Sequence, residues 1–388
     1  SQLCLSSPEV LQIVTDNLKK FIEQNPAARY WSVSQNDNVR YCQGAECTKL
    51  NQQYASEDAN ETYVTGTMKY AANGMGSLLY FLNKLAANFP GRVISTLAYQ
   101  YTRKPPVNIV PAGNINIMLC DIESPRGVPI SEGDQPFARD LAGWGKLSND
   151  ILVWDYVIQF RHLLAPFPNL RTLQPNIRFL RSNGVTALFE QGNRQSGGEF
   201  AELRAYLLTR LMWNENVNVD SVMNEFLDGY YGKAGGQIRE YINLMHDKLE
   251  QSDSSLAIFG TPVQATTTFL TDSLINVYNG IFDRAEKAVQ DSPDELMRVR
   301  TARLPLYYAM LEIARQATTG PGAAFIDDGK GGKMANPVVI DWLNKFVSQC
   351  LRTGERGIAK WHTTPQDYLE AYYAFLSGLP IPPVKRLH

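Results

Sequence analysis

Hydrophobic residues in the first half of the chain gather in five short runs, and each has a carboxylic acid or an amide at or near its end. The runs cover residues 30–37, 93–100, 115–123, 151–156 and 185–191. Runs rich in Val, Ile, Leu and aromatic residues are typical of buried parallel strands, because both faces of such strands are covered. The pattern therefore predicts five parallel strands.

In the segments between these runs, hydrophobic residues recur at the spacing of an amphipathic helix. The helices predicted in this half cover residues 8–22, 76–89, 137–147 and 170–181. Ser6 or Ser7 is the expected N-cap of the first helix. The prolines within residues 102–114 exclude a helix there, so one crossover between strands lacks its helix.

After Glu190 the spacing is helical as far as the end of the chain. The predicted helices cover residues 199–213, 220–230, 237–249, 266–289, 293–317 and 337–353. The sequence thus predicts an α/β fold class: the C-terminal part of a (β/α)8 TIM-type barrel over residues 1–213, then an all-α helical domain over residues 214–388. A helix before the first strand implies a preceding strand, so we expect an upstream part of the same protein to complete the barrel.

Composition and charge narrow the range of partners. Of the 388 residues, 44% are hydrophobic and 20% charged, and the net charge is −2. This near-neutral balance without a Lys/Arg run argues against a nucleic-acid partner. The sequence has no apolar stretch of about 18 residues, so no transmembrane segment is expected. It also lacks Gly-rich phosphate loops, HExxH and GxSxG, and no cofactor is expected.

The five cysteines do not form the disulfide framework of a small domain. Cys42 and Cys47 either pair locally or remain two free thiols. No metal site is expected, because zinc needs about four ligands and no histidine lies near these two in the sequence. Cys120 is interpreted as a small buried hydrophobic residue.

Catalytic groups of a (β/α) barrel project from the C-terminal ends of its strands. The acids at the ends of the runs are therefore the catalytic candidates: Asp37, Asp121, Asp155 and Glu190. Paired carboxylates beside aromatic residues are what the cleavage of a glycosidic bond requires. The sequence accordingly predicts a carbohydrate partner and a glycoside hydrolase, in which one of these acids is the general acid and another is the base or nucleophile.

Each acid also has a structural interpretation. Asp37 fits a turn in which its side chain caps backbone groups. Asp121 and its neighbour Glu123 fit salt bridges to Arg103 or Arg126. Glu190 fits a cap of the helix after Gly198 or a pair with Arg194 or Arg204. A non-catalytic glycan-binding protein on the same barrel is the alternative function. A helical scaffold with all acids in salt bridges is the third.

Amide, aromatic and further acidic residues near the same strand ends are predicted to bind the sugar. They are Gln35, Asn36, Tyr99, Tyr101, Glu123, Trp154, Tyr156 and His162. Tyr99 and Tyr101 share a face if the strand reaches that far, so both either line the site or belong to the core. Trp154 also suits a core position, and a structural, hydrogen-bonded role is favoured for His162.

Six short motifs resemble one bacterial family, described as domain of unknown function 4838. They are Trp31–Asn38 with Tyr41-Cys42, Leu97–Tyr101 with Lys104–Pro106, Trp154–Tyr156, Pro166–Asn169, Phe189–Gly192, and Leu203–Tyr206 with Gly229–Gly232. Together they cover about the first 250 residues.

This family resembles glycoside hydrolase barrels, distantly those of family 67 α-glucuronidases and family 20 hexosaminidases. The resemblance implies a barrel followed by a helical region, and a general acid at the place that Asp37 occupies. It also implies a secreted protein, periplasmic or at the cell surface, of polysaccharide-degrading Bacteroidetes. These implications come from the likeness of the motifs and not from the strand pattern.

Overall fold

The structure is a computed structural model that describes residues 2–148, 150–193, 198–252, 254–359 and 363–378. The strands are β1 (Tyr30–Ser32), β2 (Thr62–Thr65), β3 (Met68–Ala71), β4 (Val93–Ala98), β5 (Ile115–Cys120), β6 (Ile151–Tyr156), β7 (Ala187–Gln191), β8 (Phe325–Asp327) and β9 (Lys333–Ala335).

The α-helices alternate with these strands in the first half of the chain and dominate the second. They are α1 (Pro8–Gln24), α2 (Ala45–Gln53), α3 (Met75–Ala86), α4 (Ile130–Gly133), α5 (Gln135–Leu147), α6 (Leu173–Ser182), α7 (Ala201–Trp213), α8 (Val219–Tyr231), α9 (Gly235–Glu250), α10 (Asp272–Ala288), α11 (Pro293–Ala302), α12 (Leu304–Gln316), α13 (Pro337–Thr353) and α14 (Pro365–Leu376). Ser7 caps α1 by accepting a hydrogen bond from the N–H of Val10, as its place before Pro8 suggests.

The chain divides into two compact units. The first contains Ser1–Ser124, Pro129–Tyr156 and Asn176–Gln191, and the second contains Pro125–Val128, Val157–Pro175 and Gly192–His388. The predicted domain ranges of 1–213 and 214–388 stay predictions.

The first unit is built on a parallel sheet of five strands in the order β1-β4-β5-β6-β7, which curls into a half-barrel. Each strand pairs with the next strand of this sheet along the chain, as consecutive right-handed crossovers require. An α/β fold with a parallel sheet is therefore confirmed. Because the strands are parallel, all five C-terminal ends lie at one edge of the sheet.

One face of this sheet, the helix face, packs against the helices. Side chains at alternating positions, among them Ile94, Ala98, Ile117, Leu119 and Val153, form a hydrophobic core with residues of α3 and α5. Leu79 and Leu82 of α3 and Trp144 of α5 are completely buried there. Burial of a large apolar side chain contributes about 1.5–3 kcal/mol, so this core holds the strand ends in place.

The second unit is mainly helical. One of its hydrophobic clusters packs residues of α12, α13 and α14, including Leu311, Phe346 and Tyr372, all almost completely buried. The prediction of helices alone after residue 199 is wrong, because β8 and β9 pair as an antiparallel hairpin. Among the helices of the described residues, none has both the length and the apolar character needed to cross a membrane.

Several predicted boundaries are confirmed and others are corrected. Residues 151–156 and 337–353 form β6 and α13 as predicted. The first strand is shorter than its run and ends at Ser32. The predicted helix 293–317 is two helices separated at Arg303, since Pro305 has no N–H for an uninterrupted helix. The hairpin of β2 and β3 was not predicted, although Gly66 (φ 61°) starts its two-residue turn.

Candidate functional site

Alternation along the strands divides the candidate residues between the two sheet faces. The face opposite the helix face carries six side chains near the strand ends, and we call it the aromatic face. These side chains are Tyr99, Cys120, Trp154, Tyr156, Phe189 and Gln191. Register supports the grouping, since Cys120 pairs with Trp154, Trp154 with Phe189, and Tyr156 with Gln191.

The aromatic face has Trp154 at its centre. The Trp154 ring stacks on Tyr156 at 5.9 Å between centroids and meets Phe189 edge-on at 4.7 Å. Its indole N–H donates a 2.9 Å hydrogen bond to Oε1 of Gln191. Phe189 remains 46% exposed. The arrangement offers solvent an aromatic surface beside an amide, the combination that binds the apolar face and the hydroxyl groups of a sugar ring.

Asp37 reaches this face through Tyr99. The Tyr99 hydroxyl donates a 3.1 Å hydrogen bond to Oδ1 of Asp37, and Nε2 of Gln100 donates to the same hydroxyl over 3.0 Å. Nε2 of Gln35 donates to the Tyr99 carbonyl over 3.1 Å and to Oγ1 of Thr102 over 2.8 Å. The segment after β1 is thus fixed against the segment after β4, with the carboxylate of Asp37 exposed.

Electrostatics connects the acids after β5 to the same face. Burial raises the pKa of Tyr99 far above its usual range, and the negative charges of Asp37 and Glu123 act in the same direction. Burial likewise raises the pKa of Tyr156, with contributions from Tyr99, Asp121 and Glu123. Groups from four strand ends therefore act on one another at this edge, and both tyrosines are neutral hydrogen-bonding groups at pH 7.

Asp155 and Glu190 are neighbours on adjacent strands of the sheet, but both lie on the helix face and not on the aromatic face. They are directly opposite in the register of β6 and β7. Asp155 shares its face with Val153 of the hydrophobic core, and Glu190 shares its face with Leu188, which packs against that core. Oδ1 of Asp155 accepts the N–H of Tyr156 over 2.5 Å. The sheet therefore does not bring these two acids together with the aromatic face.

Glu123 takes part in a buried ion pair. Its Oε2 lies 3.0 Å from Nη1 of Arg103, and its Oε1 accepts a hydrogen bond from the Tyr70 hydroxyl. Nε of Arg103 binds Asp140 over 2.7 Å, and the guanidinium lies 4.2 Å from the centre of the Tyr63 ring. Burial by itself lowers the pKa of Arg103, but the charges of Glu123 and Asp140 raise it well above its usual range. The salt bridge to Arg103, one of the two interpretations of Glu123, is thus present.

Tyr63, Tyr70 and Asp140 were not identified from the sequence. Tyr63 and Tyr70 lie on the unpredicted hairpin, where they occupy opposed positions. Burial raises the pKa of Tyr63 to about 12 and that of Tyr70 further. The Gly66-Thr67 turn signal would have revealed the hairpin, but only the fold reveals the contact with Glu123, 53 residues away from Tyr70.

The remaining candidates lie in three different settings. Tyr101 is buried and stacks on Tyr41 at 4.8 Å between centroids. Asn36 is exposed, and its N–H binds Oε1 of Gln2 over 2.9 Å. His162 belongs to the second unit, where its Nδ1 lies 2.5 Å from the Tyr308 hydroxyl and burial lowers its pKa to about 4. The alternative pairing of Glu190 with Arg194 involves a residue outside the described part of the chain.

One group of side chains has ligand types suited to a metal. The sulfur atoms of Cys4, Cys42 and Cys47 all lie within 4.8 Å of one another. All five cysteines of the chain are free thiols in the structure. Sequence reasoning considered Cys42 and Cys47 but missed Cys4, because 38 residues separate it from Cys42.

These features define an α/β protein with a parallel half-barrel sheet. Aromatic and acidic side chains lie together at the edge of this sheet where the strands have their C-terminal ends. The chain belongs to the family described as domain of unknown function (DUF4838), which matches residues 1–243. The family assignment made from the sequence motifs is therefore confirmed. No curated protein matches the sequence.

Proposed function

We propose that the aromatic face binds a carbohydrate and that the protein is a glycoside hydrolase with Asp37 as its general acid. The observation that carries this proposal is the hydrogen bond from Tyr99 to Asp37, which holds an exposed carboxylate beside the aromatic face. A general acid must reach the leaving oxygen of the bound sugar, so its position comes first.

Asp121 is the preferred second carboxylate. It is completely buried, and its charge acts on Tyr156 and Cys120 of the aromatic face. Asp155 and Glu190 share the face of the hydrophobic core, and Glu123 is held by Arg103. Asp121 follows Leu119 of that core by two residues, so alternation along β5 places it on the same face, and its electrostatic effect on Tyr156 is the observation that favours it as base or nucleophile. We also propose that the half-barrel is part of a (β/α)8 barrel, with a helical domain after it and a location outside the cytoplasm, as the family resemblance implies.

The test is a screen of the intact protein, with the upstream part that is proposed to complete the barrel, against aryl glycosides and against plant and host glycans. Once a substrate is found, Asp37→Asn should lower kcat by about 10²- to 10⁴-fold, the usual contribution of a general acid. A glycoside with a strongly acidic leaving group needs no protonation, so the variant should cleave it at close to the wild-type rate.

Asp121→Asn should abolish hydrolysis of both kinds of substrate, because a lost base or nucleophile is not replaced by a better leaving group. Asp16→Asn is the matched control, since Asp16 is an exposed aspartate on α1. Equal loss of activity toward both kinds of substrate in Asp37→Asn would contradict the acid role. The anomer released first, read by NMR, then distinguishes retention from inversion.

A glycan-binding protein without activity is the second candidate. The observation that favours it is that Glu123 is committed to Arg103 while Asp155 and Glu190 lie on the helix face. Glycan binding by the wild type without hydrolysis, and equal binding by Asp37→Asn, would support this candidate instead. The absence of any glycan binding would remove both.

A further inference from the structure

Three cysteine side chains from separate parts of the first unit meet at one point. Cys4 precedes α1, Cys42 precedes α2, and Cys47 lies in the first turn of α2. Their sulfur atoms are within 4.8 Å of one another, and those of Cys4 and Cys47 are 3.9 Å apart. Cys4 is exposed and Cys47 is buried, so the cluster lies just below the surface.

The spacing fits metal coordination. Two sulfurs that each lie about 2.3 Å from a tetrahedral zinc ion are about 3.8 Å from each other. The separation between Cys4 and Cys47 is close to this value, and it is far from the roughly 2.05 Å of a disulfide bond. The third sulfur lies within 4.8 Å of the other two, so it needs to move closer by no more than about 1 Å to complete one triangular face of the tetrahedron.

Hydrogen-bond donors surround the three sulfurs. The N–H of Gly44 donates to Sγ of Cys42 over 3.4 Å. The Cys47 S–H donates to the Ser6 hydroxyl over 3.2 Å, and this hydroxyl, 3.4 Å from Sγ of Cys4, becomes a donor to the sulfurs when they are thiolates. Donors around thiolates stabilise their negative charge and orient them, as outer partners do in metal sites.

We propose that Cys4, Cys42 and Cys47 bind one Zn²⁺ ion as thiolates, with a water molecule as the fourth ligand. Thiolates are soft ligands that select zinc over Mg²⁺ or Ca²⁺. The site differs from the four-ligand arrangement that sequence reasoning looked for near Cys42 and Cys47, because the third sulfur comes from the start of the chain.

The bound ion fixes the loop that carries Asp37. Nε2 of Gln2 donates to the carbonyls of Asn36 and Asn38, both over 2.8 Å. The N–H of Gln2 donates to the Arg40 carbonyl over 3.3 Å. Cys4 follows this contact by two residues, and Cys42 follows Arg40 by two residues. Zinc therefore ties together the two segments whose pairing positions residues 36–40.

The experiment measures metal binding by the full chain, purified with zinc and a reductant. We expect one zinc ion per chain after dialysis. Replacement by Co²⁺ should produce a thiolate-to-metal charge-transfer band and the visible bands of tetrahedral cobalt. Hydrogen exchange of residues 36–40 should slow when zinc is added.

Cys4→Ser is the most informative variant, because Cys4 is exposed and its replacement does not disturb the core. It should weaken zinc binding by more than about 100-fold, since even outer partners are worth 10- to 100-fold. Cys350→Ala is the control: this thiol is buried in the second unit, and the variant should retain full zinc affinity.

Three results would overturn the site. They are a reduced wild-type chain that retains no zinc and gives no cobalt spectrum, a Cys4→Ser variant that binds zinc as tightly as the wild type, and a disulfide between two of the three cysteines in the zinc-supplied, reduced protein. None of these measurements involves a sugar, so they succeed or fail independently of the proposed hydrolase.

Discussion

The Tyr99 hydroxyl donates a hydrogen bond to Asp37 across two neighbouring strands of the parallel sheet, with 3.1 Å between the oxygen atoms. The same hydroxyl accepts a hydrogen bond from Gln100 over 3.0 Å. Its direction is therefore fixed, because the single proton of the phenol is used toward Asp37. Tyr99 is a positioning residue for the candidate acid, and its aromatic ring belongs to the surface proposed to hold the sugar.

Tyr99→Phe should separate these two roles. The variant keeps the ring but loses the hydrogen bond, whose net value of about 1 kcal/mol corresponds to roughly a five- to tenfold effect. We expect kcat on the substrate found in the screen to fall by that factor, with KM nearly unchanged. Tyr80→Phe on α3 is the control and should leave both constants unchanged. A rise in KM at constant kcat would show that the hydroxyl binds substrate instead of positioning Asp37.

Trp154→Ala tests the aromatic surface. The Trp154 ring contacts both Tyr156 and Phe189, so its removal eliminates the centre of the face. We expect glycan binding, measured by calorimetry, to weaken by at least tenfold, since an aromatic contact contributes about 0.5–1.5 kcal/mol beyond its buried area.

Trp213→Ala is the matched control for that variant, because Trp213 is 93% exposed and belongs to the second unit. It should bind glycans like the wild type. Equal affinities of Trp154→Ala and the wild type, with both proteins folded by circular dichroism, would contradict sugar binding at the aromatic face.

The sequence predicted the sheet well because its signals are local. The run 151–156 has the length and composition of a buried strand, and it forms β6 with the predicted bounds. The alternation within that run also indicates which face of the sheet each side chain occupies. Asp155 is two residues from Val153, so the pattern already assigned it to the core face if Val153 is core.

Contacts between distant residues were not predictable in this way. The contact of Tyr70 with Glu123 and the approach of Cys4 to Cys47 join residues far apart in the chain. No period or spacing encodes such pairs, because they depend on how the hairpin and the N-terminal segment fold back onto the sheet. The candidate acids could be named from the sequence, but only the register shows that Asp155 and Glu190 lie side by side.

Arg103→Met should destabilise the first unit strongly. The substitution leaves the carboxylate of Glu123 buried without its cation and leaves Asp140 with only Lys104, 3.8 Å away, which costs about 3–5 kcal/mol. Arg139→Ala is the control, because Arg139 is exposed and its 3.5 Å pair with Glu61 should contribute below about 1 kcal/mol. Denaturant unfolding at pH 7 measures both. Similar losses in the two variants would show that the Arg103 cluster is not a stabilising centre.

The second unit should lose stability in mild acid because of His246. Nε2 of His246 accepts the N–H of Leu170 over 3.0 Å, and Nδ1 lies 2.8 Å from the Ile242 carbonyl, to which it donates. The ring is therefore neutral, with its proton on Nδ1. Burial lowers the pKa of His246 to about 4. The usual value in an unfolded chain is about 6.5.

Between these two pKa values the unfolded chain binds more protons than the folded chain, so stability falls as the pH falls. From pH 7 to pH 5 the titration of His246 lowers the free energy of unfolding by about 2 kcal/mol. His246→Gln keeps one donor and one acceptor without titrating, and should lose that share of the pH dependence. Denaturant unfolding of both proteins at pH 7 and pH 5 tests this.

His162 contributes in the same direction in both proteins, so the difference between them isolates His246. Identical pH dependence in the two proteins would contradict a neutral, buried His246.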